Sequence, residues 1–97
     1  MTVFAVEYVY AADSTDTRNE VRTAHREWTG GLAQDGVLVA SGPYGDGAGA
    51  LLIFKASDEA ALNSILKQDP YAAASVIAGT RITEWSPVTG MLAGIAA

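Results

Sequence analysis

The sequence predicts a small α+β domain whose elements follow the order β-α-β-β-α-β. Three observations support this. A chain of 97 residues has the length of one domain. Four segments rich in β-branched and aromatic residues alternate with two segments whose apolar residues recur at helical spacing. Glycine, proline and aspartate separate these segments. We therefore expect residues 1–97 to form a single domain.

Composition excludes several kinds of site and partner. The chain has no cysteine and one histidine, so it can form neither a disulfide, nor a thiolate site, nor a multi-histidine metal site. A net charge of −5 provides no basic surface for phosphates, so we expect no nucleic-acid partner and no binding to anionic membranes. No run approaches the roughly 18 apolar residues of a membrane span. No basic segment precedes the apolar start, so we expect a cytoplasmic protein.

The first half of the chain predicts a strand, a helix and a second strand. Residues 3–10 read as a strand that is apolar on both faces apart from Glu7. Thr17-x-x-Glu20 matches a capping box at the start of a helix, which we expect to end at Asp35-Gly36. Its apolar face is predicted to contain Val21, Ala24, Trp28 and Leu32, with Arg18, Arg22 and Arg26 mostly on the opposite side. Residues 37–41 form the next predicted strand.

The second half predicts a hairpin partner, another helix and a last strand. Residues 49–55 are apolar and follow a glycine-rich turn, so they pair with the second strand. Ser57 is the expected N-cap of the second helix. That helix ends before Asp69-Pro70, because a residue that precedes proline avoids helical geometry. Residues 71–78 allow one short helical turn, and residues 80–88 alternate as the fourth strand.

This element order predicts a ferredoxin-like sheet. Right-handed crossovers place both helices on one face of an antiparallel sheet and make the first and third strands central. One sheet face then lacks a cover, whether it carries Phe4, Val6 and Tyr8 or Val3, Ala5 and Val9. A bare apolar face usually marks an interface. We therefore expect a homodimer in which the open sheet faces pack together.

His25 and Asp69 are the residues most suited to chemistry. His25 falls within the apolar face of the first helix, so it is either a core histidine bonded to a backbone carbonyl or a functional imidazole. Asp69 is either a surface residue that ends a helix or a carboxylate held near His25 by the rigid Pro70. A carboxylate bonded to an imidazole fixes its tautomer and makes it a general base.

Several other polar and aromatic residues are candidates for binding a small molecule. Ser41 begins a Ser-Gly-Pro turn at the end of the second strand and either only ends the strand or places a hydroxyl at a pocket. Glu7 is either a satisfied buried carboxylate or a pocket residue. Trp28 could line a pocket, and Tyr44 and Tyr71 are either loop packing or pocket walls. No motif for a nucleotide or another cofactor is present.

The residues, taken in order, resemble the YCII-related family. The resemblance rests on His25, Gly36, Ser41-Gly42-Pro43, the apolar strand at residues 49–54, Asp69-Pro70-Tyr71 and Ile82-x-x-Trp85. It implies a dimeric α+β barrel whose His25 and Asp69 face a shared pocket with Ser41 nearby. One branch of the family is similar to dehydrochlorinases of chlorinated hydroxyquinols, and related barrels include lactone isomerases and haem-handling monooxygenases.

Two classes of function follow from these residues. The first is a cofactor-independent enzyme in which His25, oriented by Asp69, exchanges a proton with a small aromatic or enolisable substrate, as in a lyase or isomerase. The alternative is a non-catalytic module that binds a small molecule or serves only as a structural dimer. A haem protein would have only His25 as an axial ligand.

Overall fold

The computed structural model describes residues 1–96 and has seven elements. The strands and helices are β1 (Thr2–Tyr10), α1 (Thr15–Gln34), β2 (Leu38–Pro43), β3 (Gly49–Ala56), α2 (Glu59–Leu66), α3 (Pro70–Ala73) and β4 (Ile77–Glu84). The sheet order is β2-β3-β1-β4, and every neighbouring pair is antiparallel. The predicted ferredoxin-like α+β fold, with β1 and β3 at the centre, is confirmed.

The core lies between the helices and one face of the two central strands. Phe4, Val6 and Tyr8 of β1 pair with Phe54, Leu52 and Ala50 of β3, and all six belong to one buried cluster. Alternate residues of a strand share a face, so this register defines the helix side of the sheet. Leu62 and Leu66 of α2 belong to the same cluster, as do Leu38 and Ala56, while α1 contributes half-buried side chains only.

The two predicted helix caps are wrong by one or a few residues. The first helix begins at Thr15, and its N-cap is Ser14, whose side chain does not cap the helix. The Ser14 hydroxyl instead donates to the Ala11 carbonyl at 2.6 Å. Because the helix begins at Thr15, the Thr17-x-x-Glu20 pattern lies inside it. In α2 the cap is Asp58, which accepts a hydrogen bond from the Ala61 amide at 2.8 Å.

The opposite sheet face is only partly open. Val3 and Ile53 lie on it and are buried, whereas Val9 and Leu51 are exposed. The helices pack on the other face. The chain after β4 returns along β1, because the Trp85 amide donates to the Val3 carbonyl at 2.9 Å, and Pro87 of this segment is buried. The exposed apolar part of this face is therefore limited to the end of the sheet that holds Val9 and Leu51. We call this part the open strip. Among residues 1–96, no helix has the length and hydropathy needed to traverse a bilayer.

Candidate active site

Asp69 is fixed by the turn that joins α2 to α3. Pro70 occupies the first turn of α3, where its missing N–H costs nothing, and the extended backbone of Asp69 makes it the N-cap. Its Oδ1 accepts a hydrogen bond from the Tyr71 amide at 2.9 Å. The carboxylate is nevertheless inaccessible to solvent, with an exposure of 0%. A carboxylate buried this deeply needs further partners.

One of those partners is Tyr8 of the central strand. Its hydroxyl donates to Asp69 Oδ2 at 2.8 Å, and both side chains are buried. Burial raises the pKa of Tyr8, and the neighbouring Asp69 carboxylate raises it further. The hydroxyl therefore stays protonated well into the alkaline range and remains a donor to the carboxylate.

The other partner is His25 of α1. Its Nδ1 lies 2.7 Å from Asp69 Oδ1. Because a carboxylate only accepts hydrogen bonds, this contact favours the tautomer whose Nδ1 carries the proton. The imidazole also stacks on the Tyr71 ring, at 3.9 Å between centroids and 5° between planes. Orientation and tautomer are thus both held, and Nε2 is the nitrogen left to exchange a proton.

His25 stands at the wall of a cavity of about 460 Å³ between α1 and the edge of the sheet. Pockets of this size suit small molecules. Ser41 of β2 and Tyr71 of α3 also line the cavity, so the fold brings both of these candidates to the side of His25. Asp69 lies behind the imidazole, outside the lining. The cavity wall is completed by Tyr10, Arg18, Arg22, Arg26, Thr29, Gly42, Pro43, Gly47, Ala50 and Leu52.

The placement of the arginines differs from the prediction. Arg18, Arg22 and Arg26 line the cavity together with His25, although we predicted that they lie mostly opposite the apolar face of the helix. The stems of long cationic side chains pack along apolar walls while their charged ends stay hydrated. The cavity is therefore cationic along one side.

Three other candidates lie apart from the cavity. Glu7 belongs to the open face of β1, and its Oε1 accepts a hydrogen bond from the Tyr44 hydroxyl at 2.7 Å. Glu7 and Tyr44 are thus separated from His25 by the sheet. Trp28 packs against Phe54 in the core, and its ring centre lies 6.0 Å from that of His25, but it does not line the cavity.

The hydroxyl of Tyr8 is the main site group that the sequence did not indicate. A tyrosine inside an apolar strand predicts core packing, and its partner Asp69 is 61 positions away in sequence. Tyr10 is a second case, because it lines the cavity beneath Arg18, whose guanidinium carbon lies 4.2 Å from its ring centre. Within residues 1–96, no three histidine, cysteine or acidic side chains lie together as a metal site would require.

Comparison with known proteins agrees with this fold. No curated protein is significantly similar to the chain. The structure is similar to that of 5-chloro-2-hydroxyhydroquinone dehydrochlorinase (TftG) from Burkholderia phenoliruptrix AC1100, solved in complex with 2,5-dihydroxybenzoquinone. The TM-score is 0.76 at 22% identity, over 87% of this chain and 93% of that one. It is also similar to an antibiotic biosynthesis monooxygenase, with a TM-score of 0.59 at 13% identity, over 92% of this chain and 100% of that one.

Both similarities show the fold alone, because sequence identities of 22% and 13% do not establish which residues form an active site. The sequence itself gives the family. The model of the YCII-related domain matches residues 2–86, which is nearly the whole folded part of the chain. The chain therefore belongs to the YCII-related family.

Proposed function

We propose that this protein is a cofactor-independent enzyme of the lyase or isomerase type. His25 is the general acid and base, and Asp69 is the residue that orients it. The substrate is a small aromatic or enolisable molecule that binds in the cavity beside Ser41. The observation that supports this best is the contact of 2.7 Å between His25 Nδ1 and Asp69 Oδ1 at the cavity wall.

The chemistry follows from the orientation of the imidazole. Nδ1 is engaged by Asp69, so Nε2 accepts a proton from a C–H or O–H group of the substrate. The electron pair left behind forms a new C=C or C=O bond and expels a leaving group from the neighbouring carbon. The imidazolium formed is stabilised by the Asp69 carboxylate and later returns its proton to water or to another substrate atom. The Ser41 hydroxyl is suited to hold a hydroxyl or carbonyl of the substrate.

The structural neighbour makes elimination the first reaction to examine. It is a dehydrochlorinase, and its complex holds a dihydroxybenzoquinone, a planar ring that a cavity of about 460 Å³ could hold. Tyr71 is already stacked on His25, which makes the cavity wall flat on one side. These features favour a planar, ring-shaped substrate.

The test is the release of halide from chlorinated hydroxyquinols, 5-chloro-2-hydroxyhydroquinone first, by the wild type and by His25→Gln. Because glutamine cannot accept a proton at this position, we expect kcat/KM to fall about 10²- to 10⁴-fold. Chloride release and product mass are the measurements, with thermal unfolding to verify that the variant is folded.

Thr23→Ala is the matched control, since Thr23 is exposed on the same helix and does not line the cavity. It should react at the wild-type rate. Equal rates for wild type and His25→Gln would rule out the assigned base. Tight binding of the ring compounds without any product would favour the non-catalytic binding module instead.

We also propose that the protein is a homodimer through the open strip of the sheet. Val9 and Leu51 are large apolar side chains that remain exposed there, and such a strip is a natural place for a second copy to pack. Light scattering should give twice the chain mass of 10.1 kDa. Leu51→Glu should lower this mass toward the monomer, because it buries a charge in the contact. A monomeric mass for the wild type at micromolar concentration would contradict the proposal.

A further inference from the structure

Three arginines form a row along the cavity side of α1. Arg18, Arg22 and Arg26 follow one another at intervals of four residues, so their side chains lie along one face of the helix. They are three of the four arginines in the chain, and all three line the cavity that contains His25. No aspartate or glutamate is among the lining residues.

This row is unusual in an acidic chain. The protein has eleven acidic and six basic residues, yet among residues 1–96 none of the three guanidinium groups lies within ion-pair distance of a carboxylate. Like charges four residues apart on a helix repel each other. The arrangement therefore carries an energetic cost that no carboxylate of the described chain offsets by an ion pair, and an anion bound in the cavity would offset it.

The three guanidinium groups are not equivalent. Arg18 is anchored, because its Nε donates to Ser14 Oγ at 3.0 Å and its Nη2 to Thr15 Oγ1 at 3.3 Å, and because it lies over the Tyr10 ring. Arg22 and Arg26 make no side-chain hydrogen bond within residues 1–96. Their planar N–H groups are therefore available, and such groups match a carboxylate or another oxyanion with two parallel hydrogen bonds.

The other walls of the cavity limit the size and shape of the uncharged part of the ligand. Its volume is about 460 Å³, and Pro43, Ala50 and Leu52 form an apolar wall opposite the arginines. The Tyr71 ring adds a flat surface beside His25. These walls suit a compact planar group that carries its charge at one end.

We propose that the enzyme takes its substrate as an oxyanion, a small planar carboxylate or phenolate whose charged oxygens are bound by Arg22 and Arg26. This inference rests on the proposed function, because it names the substrate class of the same site. Removal of a proton by His25 adds negative charge to such a substrate. The guanidinium row then stabilises the charge that develops in the reaction as well as the charge that binds.

The test uses matched pairs of ligands that differ only in charge. The probes are benzoate with benzamide, and 2,5-dihydroxybenzoate with 2,5-dihydroxybenzamide, and binding is measured by calorimetry at neutral pH. We expect each anion to bind more tightly than its amide, and the difference to shrink as salt is added, because salt screens exposed charges. Anions that bind no better than their amides would overturn the proposal.

Variants then locate the binding groups. Arg22→Gln and Arg26→Gln should each weaken binding of the anion about 10- to 100-fold, the range for hydrogen bonds to charged groups, and leave binding of the amide unchanged. Neither should lower the melting temperature of the free protein, because each relieves repulsion. Arg81→Gln is the control, since it removes the same charge from the opposite face of the sheet; an equal loss of binding in Arg81→Gln would overturn the proposal.

His25→Gln separates this inference from the proposed function. If the arginine variants lose anion binding while His25→Gln keeps its wild-type rate, the substrate class stands and the catalytic role of His25 fails. If His25→Gln loses turnover while the arginine variants bind and react as the wild type does, the catalytic role stands and the substrate class is wrong.

Discussion

Asp69→Ala is expected to lower the free energy of unfolding by about 3–5 kcal/mol, the usual cost of removing one member of a buried charged contact. The carboxylate accepts hydrogen bonds from the Tyr8 hydroxyl and the Tyr71 amide and contacts His25. Alanine leaves these buried donors without an acceptor, and each such donor costs about 1–3 kcal/mol. Denaturant titration followed by tryptophan fluorescence measures the loss.

Asp69→Asn is the milder version of this change and the more informative one for chemistry. An amide offers one accepting oxygen and one donating nitrogen, so it cannot serve both Tyr8 and His25 as acceptor. We expect a smaller loss of stability, a mixture of imidazole tautomers, and a turnover about 10²- to 10⁴-fold slower because the wrong nitrogen is protonated in part of the molecules.

The tautomer can be read directly, because the chain has a single histidine. The ¹⁵N chemical shifts of the imidazole should assign the proton to Nδ1 in the wild type and to both nitrogens in Asp69→Asn. An unchanged tautomer together with an unchanged unfolding midpoint in both Asp69 variants would mean that the contact does not form in solution.

Phe54→Ala should cost about 3–5 kcal/mol, the range for truncating a buried aromatic ring. Phe54 is on a central strand, is 0% exposed, and contacts the Trp28 ring of α1. A domain of this size has a total stability of about 5–15 kcal/mol. Each kcal/mol lost lowers the melting temperature by about 4–8 °C, so the variant should melt far below the wild type at equal protein concentration.

Val88→Ala provides the comparison for Phe54→Ala. Val88 is 83% exposed, so its loss should change stability by no more than about 0.5 kcal/mol. Similar melting temperatures for Phe54→Ala and the wild type would contradict the assignment of Phe54 to the centre of the core. A large effect of Val88→Ala would mean that the tail is covered in solution.

The fold was predictable because its signals are local and repeat along each element. The element order with right-handed crossovers placed β1 and β3 at the centre, and Asp69-Pro70 marked the end of the second helical region. The caps were less predictable. Ser14 and Thr17 are both acceptable N-cap residues, and the choice depends on where the chain leaves β1, which is a tertiary property. The same holds for Asp58 against Ser57.

The site was predictable only in part, because its contacts join distant parts of the chain. His25 and Asp69 were candidates from their surroundings, whereas Tyr8 resembled any other core aromatic. The arginines were predicted to lie mostly on the side of the helix opposite its apolar face. Their spacing contained contrary information: Arg18 precedes His25 by seven residues, or about two helical turns, so both point to the same side of α1.

The hydrogen bonds around Asp69 have a consequence for how the protein loses activity on heating. They tie β1, α1 and the start of α3 together at one carboxylate, so the orientation of His25 depends on the closed state of a four-residue helix. Short segments of this kind open locally more often than the whole domain unfolds. On warming, activity should therefore disappear before the sheet melts, and faster hydrogen exchange at the Tyr71 amide should report that loss.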